Sequence, residues 1–399
     1  MNMAEPQKQH LIDPEFCIRC YTCEESCPIG AITHNDDNVV VDASVCNHCM
    51  DCISPCPTGS IDSWRIVTEP YSLEEQLGWM ELPEQQQFAD QDDGPDAGLE
   101  ALDESIAALL AEAHEGSGQV PAPSSASKSS INLYNLANPV EGVIQGNYRL
   151  TSADADSDVR HIIINLGNAP FPVLEGQSVG IICPGEDKNG KPHLPRLYSI
   201  SSPRDGERPN ANNISLTIKR EELGVCSNYV CDLKKGDTVK LTGPFGASFL
   251  MPDDPQAKLL MICTGTGSAP FRAFTMRRQR VLPQQNGALK LFFGARTPES
   301  LPYFGPLKKI PETFLDTHFA FSRVEGKPKN HVQDELRLAS GPIAEALKDP
   351  QTYIYICGMK AMEEGVDAAL NDIAGKAKMD WGTLKDEMRK SGRYHVETY

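Results

Sequence analysis

Eight cysteines fall between positions 17 and 56 in two runs of one spacing, and no other feature constrains the fold as tightly. Cys17-x2-Cys20-x2-Cys23-x3-Cys27-Pro28 is followed by Cys46-x2-Cys49-x2-Cys52-x3-Cys56-Pro57. Two-residue gaps let three consecutive thiolates wrap three corners of one cuboidal cluster, and the three-residue gap carries the fourth to a second cluster. The expected ligand sets are therefore crossed. One [4Fe-4S] cluster takes Cys17, Cys20, Cys23 and Cys56; the other takes Cys46, Cys49, Cys52 and Cys27. Structural zinc is the competing reading, but zinc sites usually show two separated Cys pairs. Ile18, Ile29, Ile32, Val45, Ile53 and Ile61 are expected to shield the clusters from water, which helps to set their potential. The opening MNMAEPQKQHLIDPEF has no apolar signal core and no run of 18 apolar residues exists, so the expectation is a cytoplasmic protein without a membrane span. Thiols stay reduced there, and the crowding again points to metal.

Charge divides the chain. Residues 1–130 hold 24 acids and 4 bases, and residues 131–399 hold 31 acids and 33 bases, within a total of -18. Phosphate backbones would be repelled by the acidic part, so no nucleic-acid partner is expected, whereas a basic protein partner is. The expected organisation is multidomain: an α+β domain for two clusters, which resembles bacterial-type ferredoxins in its two cysteine runs, with an extension over 1–83, then an acidic linker over 84–130. The linker ends in a Ser/Pro/Ala-rich stretch that reads as flexible. Within it Leu99, Leu102, Ile106, Leu109 and Leu110 share one helical face between Asp96 and Gly116, either packed on a neighbouring domain or docking a partner. Over 131–255, HIIINL, SVGIICP, RLYSIS, ISLTIKR and DTVKLTG are separated by Gly/Pro/Asn turns, which fits an antiparallel β-barrel. Over 256–399 strands alternate with helices, the sign of an α/β parallel sheet.

Four short motifs follow in order: Arg196-Leu197-Tyr198-Ser199, Gly224-Val225-Cys226-Ser227, Gly243-Pro244-Phe245-Gly246, and GTGSAPFR from Gly265. A guanidinium and backbone N–H groups at a helix start suit a pyrophosphate. A Tyr ring can cover an isoalloxazine face. Cys357 closes the apolar strand TYIYI, at the carboxyl end where ligands gather in parallel sheets. Cys183, Cys226, Cys231 and Cys263 read mostly as small core residues, although Cys226 lies in the pyrophosphate loop.

With YIYICGMKAMEEGV and the final HVETY, these motifs resemble plant-type ferredoxin–NADP reductases over about residues 140–399. The resemblance implies an FAD-binding barrel followed by an NADP-binding domain. It assigns Arg196, Leu197, Tyr198, Ser199, Lys219, Gly224, Val225, Cys226 and Ser227 to FAD. It assigns Thr266, Gly267, Gly358 and Met359 to the nicotinamide nucleotide, and Ser199, Cys357, Glu397 and Tyr399 to the hydride-transfer locus, with Tyr399 stacking on the flavin. Ser322, Arg323, Lys329 and His331 are the candidates for the 2′-phosphate of NADPH; the family has Tyr where His331 stands, and a merely solvated basic loop is the alternative. A second departure is the short REEL segment between Lys219 and Gly224, where the family has a longer loop carrying an aromatic ring for the adenine. FAD remains the preferred flavin, with FMN the alternative.

The cysteine segment resembles bacterial-type two-cluster ferredoxins. A ferredoxin of that kind, an acidic linker and a plant-type reductase, in this order, resemble the reductase components of benzoyl-CoA 2,3-epoxidases. That implies electrons passing from NADPH through FAD and two [4Fe-4S] clusters to a separate di-iron oxygenase in aerobic benzoate degradation. No residue is read as recognising benzoyl-CoA. Two alternatives stand: an electron supplier to another terminal reductase or oxygenase, and a redox-sensing subunit with an inactive flavin site. The sequence leaves a homodimer open.

Overall fold

The computed structural model describes residues 7–15, 17–49, 52, 56, 60, 61, 63–83, 120–186, 190, 192–209, 211–303 and 309–399. The amphipathic stretch 96–116 lies outside the described residues. The chain divides into two compact units, one built on the cysteine segment and one holding two larger sheets.

The first unit contains β1 (Gln7–Leu11), α1 (Thr22–Glu25), β2 (Ile32–His34), β3 (Val39–Val41), β4 (Ser63–Val67) and α2 (Leu73–Leu77). β1 pairs antiparallel with β4, and β2 with β3. A Ser72–Glu75 capping box starts α2 by satisfying free N–H groups. Past its other end, the Asn38 amide donates to the carbonyls of Leu77 and Trp79 at 3.2 and 2.6 Å, tying the β2–β3 turn to this extension. The core is Ile12, Ile32, Val39, Val41 and Ile61 around Cys23 and Cys52. This corrects the expected shield. Ile18 and Val45 are 62% and 43% exposed, whereas Ile29, 38% exposed, still lines the wall beside the cysteines. Ile18 follows Cys17 and Val45 precedes Cys46 at turns closed by the Cys17 N–H on the Asp13 carbonyl and the Cys46 N–H on the Asp42 carbonyl, and adjacent residues of a helical turn do not face the same way. Ile53 lies outside the described residues.

The second unit begins with a strap, residues 120–130. The sequence reads this stretch as flexible, but it is held: Ser127 donates from its backbone N–H at 2.9 Å and from its hydroxyl to Asp253, and the Gln177 amide donates to the Ser130 carbonyl at 3.0 Å. Val120 is buried. Small hydroxylated residues that suit a loose linker also suit close packing against acceptors such as Asp253.

The antiparallel sheet comprises β5 (Val140–Arg149), β6 (Val159–Asn165), β7 (Ser178–Ile182), β8 (Arg196–Ser199), β9 (Asn213–Lys219) and β10 (Thr238–Phe245), with α3 (Val225–Asp232) between the last two. Its order is β8-β7-β10-β5-β6-β9. The two edges meet, because Ile200 bridges Leu216 and the Ser201 N–H donates to the Ser215 carbonyl at 2.8 Å. The sheet thus closes on itself. The Asn147 amide donates to the carbonyls of Cys231 and Leu233 at 3.2 and 2.7 Å, fixing the end of α3 on β5.

The parallel sheet is built from β11 (Lys258–Thr264), α4 (Ser268–Val281), β12 (Leu289–Ala295), β13 (Leu315–Phe321), α5 (Val332–Leu338), α6 (Ser340–Lys348), β14 (Thr352–Gly358), α7 (Lys360–Lys376), α8 (Trp381–Lys390) and β15 (Tyr394–Thr398). Strand order is β13-β12-β11-β14-β15, and every pair is parallel. Alternation splits the strands between two cores: Leu260, Ile262, Ile354 and Ile356 face α5 to α8, while Leu259, Met261, Tyr353 and Tyr355 pack with Phe249, Phe271 and Phe274. Both faces are covered, which is why these strands are apolar throughout. Winding reverses between β11 and β14, and a crevice opens outside their carboxyl ends.

Candidate functional site

In the first unit, one cavity is lined by Cys27, Cys46, Cys49 and Cys52, with Pro28, Ile29, Ala31, Ile32, Val41 and His10 completing its wall. Three of these cysteines come from the second motif and one from the first. The remaining four form the complementary set. After burial, the strongest influence on Cys23 is Cys56, ahead of Cys17. Burial pushes the Cys23 thiol up to about 11 and the Cys52 thiol up to about 12, a cost that binding as thiolates to a metal would have to offset. The first Cys-x-x-Cys turn of each motif puts its third residue in the left-handed region, Arg19 at φ 55° and His48 at φ 58°, so these turns repeat in backbone as well as in sequence. Cys27 Sγ accepts from the Ala31 N–H at 3.2 Å; four residues after Cys56, Ser60 places its hydroxyl 3.5 Å from Cys56 Sγ. Among the described residues no three His, Cys, Asp or Glu side chains converge on a single point as ligands of one ion. Thiols spaced around a small apolar cavity fit the corners of a cuboidal cluster.

In the second unit, the Tyr198 hydroxyl on β8 hydrogen-bonds Cys226 at the start of α3, and the Cys226 thiol is lowered first by its hydrogen bond with Cys183, then, against burial, by Tyr198 and by the Arg196 charge. RLYS and GVCS, 28 residues apart, are therefore in contact. Gly224 caps α3 without a side-chain hydrogen bond, which leaves first-turn N–H groups for an anion. Beside them Leu223 is 94% and Val225 56% exposed. Lys219 is engaged by Glu221 at 2.6 Å. Cys183 is buried, as read from sequence, and in addition it hydrogen-bonds Cys226; its thiol is raised first by that bond and then by burial. Spacing could not reveal this, because β7 and α3 meet only through barrel closure.

At the carboxyl ends of β11 and β14, glycine makes the approach possible. A Cβ on Gly267 would stand 2.2 Å from the Cys357 carbonyl oxygen, and one on Gly358 would stand 2.5 Å from Thr264 Oγ1, with φ +144° besides. Thr264 also receives the Met359 N–H at 3.4 Å; no sequence motif singled it out. Cys357 is fully buried, in register with Cys263 on β11 and Glu397 on β15. Its thiol is pushed well up by burial and then by Glu397. The decisive contact joins the two sheets: Ser199 at the end of β8 donates to Glu397 at 2.9 Å. Tyr399 is pinned beside it, its hydroxyl 2.6 Å from Thr266 Oγ1 and its N–H donating to the Gly358 carbonyl at 3.0 Å, while the residue stays 60% exposed. Ser199, Cys357, Glu397, Tyr399 and Thr266 thus share one locus, reached from four separate stretches of chain.

The phosphate candidates gather elsewhere on the same sheet edge. Ser322 and Arg323 follow β13, their N–H groups donating to the carbonyls of Ala295 and Arg296 at 3.1 and 2.8 Å. Lys329 is exposed in the same loop. His331 caps α5, with its ring 3.5 Å from Asp334. The pairing also brings exposed Arg296 next to Arg323, a further cation that sequence reading passed over.

Comparison with known proteins agrees with this geometry. Over 288 residues the chain is 38% identical to a ferredoxin–NADP reductase of Spirulina sp., spanning 67% of this chain and 98% of that protein. The chain belongs to the ferredoxin–NADP reductase family. The cyanelle ferredoxin–NADP reductase of Cyanophora paradoxa is 39% identical over 287 residues, 67% of this chain and 79% of that one. The solved ferredoxin–NADP+ reductase of Plasmodium falciparum superposes with a TM-score of 0.56 at 27% identity, covering 68% of this chain and 100% of that chain. Residues 261–368 match the oxidoreductase NAD-binding domain, and residues 9–69 match the 4Fe-4S dicluster domain. FAD and NADP are the cofactors of this family, and the dicluster segment adds iron–sulfur clusters. The uncapped α3 start, the glycine cradle at β11 and β14 and the thiol-lined cavity fit these groups. No described helix is long and apolar enough to cross a membrane.

Proposed function

We propose that the chain is the NADPH-dependent reductase of a separate oxygenase, passing electrons through FAD and two [4Fe-4S] clusters. The observation that carries this reading is the presence, on one chain, of a ferredoxin–NADP reductase unit and a dicluster domain. A covalently attached acceptor raises the effective concentration of clusters near the flavin and suits a dedicated partner. FAD, when bound, turns a two-electron input into one-electron output.

The protein's own residues do the positioning. Arg196 and the α3 N–H groups hold the pyrophosphate, with Leu223 and Val225 as the apolar surface left by the short loop. Tyr198 covers one flavin face and Tyr399 the other until nicotinamide takes its place. Ser199, oriented by Glu397, presents its hydroxyl to the flavin, and buried Cys357 keeps the locus dry. Gly267 and Gly358 admit the nucleotide, and Ser322, Arg323 and Lys329 select the 2′-phosphate. The crossed cysteine sets, supported by the cavity wall and by the Cys23–Cys56 proximity, hold the clusters.

The order of modules favours benzoyl-CoA 2,3-epoxidase, a di-iron enzyme, as the acceptor. Two measurements test the reading. The cofactor-loaded protein should reduce ferricyanide with NADPH, and no turnover would overturn the reductase reading. Adding the di-iron oxygenase and benzoyl-CoA should couple NADPH oxidation to O2 uptake. Ferricyanide reduction without that coupling would move the protein to another terminal acceptor.

A further inference from the structure

The two cysteine sets repeat in sequence and, at their first turns, in backbone, yet their sulfurs meet different donors. In the set Cys17, Cys20, Cys23 and Cys56, the Thr22 hydroxyl donates to Cys20 Sγ at 3.3 Å and the Ser60 hydroxyl lies 3.5 Å from Cys56 Sγ. The repeat puts Ala31 where the other half has Ser60, and Asp51 where it has Thr22. Alanine has no side-chain donor, and an ionised carboxylate has no proton to give. Among the described residues, the set Cys27, Cys46, Cys49 and Cys52 receives backbone N–H groups, from Ala31 on Cys27 and from His48 on Cys46, and lies against a largely apolar wall of Pro28, Ile29, Ile32 and Val41. Exposure follows the same division. Cys20 is the one exposed thiol of the eight.

A reduced cluster carries one more negative charge than an oxidised one. Hydroxyl donors to sulfur and contact with water stabilise that charge, and an apolar wall opposes it. Of the nearby charges, Arg19 and Glu25 are exposed, where solvent screens them, and half-buried Glu24 is paired with the His34 ring at 2.6 Å. We infer that the two clusters are unequal: the cluster on Cys17, Cys20, Cys23 and Cys56 has the higher reduction potential because Thr22 and Ser60 donate to its sulfurs. In the protein reduced by a single electron, that electron rests on this cluster, beside the water-facing sulfur of Cys20. The inference depends on the ligand sets proposed above.

The test is a redox titration of the full-length loaded protein followed by electron paramagnetic resonance, with Ser60→Ala, Thr22→Val and Ala31→Ser beside the parent. Iron and acid-labile sulfide are measured in every sample. In Ser60→Ala and Thr22→Val the higher midpoint should fall while the lower stays, by two- to tenfold in the reduction equilibrium, up to about 59 mV for a one-electron couple. Ala31→Ser should raise the lower midpoint and narrow the gap. Full iron and sulfide with unmoved potentials, or a fall in the lower centre instead, would overturn the inference alone. A parent protein with less iron and sulfide than two clusters require would overturn the ligand sets and the inference together.

Discussion

In the proposed reading, Arg323 carries the nucleotide preference by position. It follows β13, exposed beside Ser322 and with Lys329 in the same loop, where a phosphate dianion would meet two cations and a hydroxyl. Arg323→Ala should weaken NADPH binding by roughly 1.5–3 kcal/mol, the value of a hydrogen bond to a charged group, with NADH hardly affected. The ratio of the two KM values reads this out, and equal losses would refute the assignment. In the same reading, Tyr399 controls access rather than affinity for phosphate. Its hydroxyl bond to Thr266 and backbone bond to Gly358 hold it over the locus. Tyr399→Ser should raise nicotinamide occupancy at the flavin, visible as a charge-transfer band, and relax the preference for NADPH. An unchanged spectrum and unchanged discrimination would place the ring elsewhere.

At the scale of elements, β11 and β14 approach through glycine. Because a Cβ on Gly267 would meet backbone at 2.2 Å, the strand ends must separate in Gly267→Ala. Overpacking of that kind costs about 1–3 kcal/mol. We expect a lower Tm together with weaker NADPH binding; wild-type values for both would show that the loop has slack. The strap 120–130 is a second element with a measurable role. Burial raises the Asp253 carboxyl, but Arg204 and Ser127 outweigh it and hold the group below the usual carboxylate range. Arg204 also pairs with fully buried Glu175 at 2.8 Å. A depressed folded value means stability present above the unfolded carboxylate pKa of about 3.9 and lost as pH falls through the folded value. Asp253→Asn should therefore be less stable than the parent near neutral pH, with the gap closing below about pH 4. A pH-independent gap in denaturant midpoints would mean the strap is held by packing instead.

For the whole molecule, the modules should fail separately. Cys56→Ser removes a thiol from one set, so delivery to a protein acceptor should collapse while NADPH-dependent ferricyanide reduction at the flavin persists. Loss of both activities together would show that the flavin unit needs the clusters for folding. The formal charge of -18 is concentrated ahead of the reductase sheets. Exposed charges separated by more than about 8 Å are screened at physiological salt, so the apparent KM for a basic protein acceptor should rise with ionic strength, while that for ferricyanide should not.

How much of this was legible before folding depends on the range of the interaction. Cys17 to Cys56 announced two clusters because ligand spacing is a local property of chain geometry. The parallel sheet was legible as apolar strands alternating with helices. β5 was not read as a strand, since Gly142, Gln145, Gly146 and Asn147 dilute its apolar alternation and only pairing with β6 and β10 makes it one. Ile18 and Val45 were misplaced because hydrophobicity does not say which way a loop residue points. By itself the sequence determined the cofactor classes and the order of modules, which rest on residue types at short spacing. Only the tertiary structure decided that the barrel closes through Ile200 and Leu216, that Cys183 meets Cys226, and that Ser199 finds Glu397 198 residues away. Those contacts exist because sheets close and strands align in register, and no local pattern encodes where two distant segments of one chain will meet.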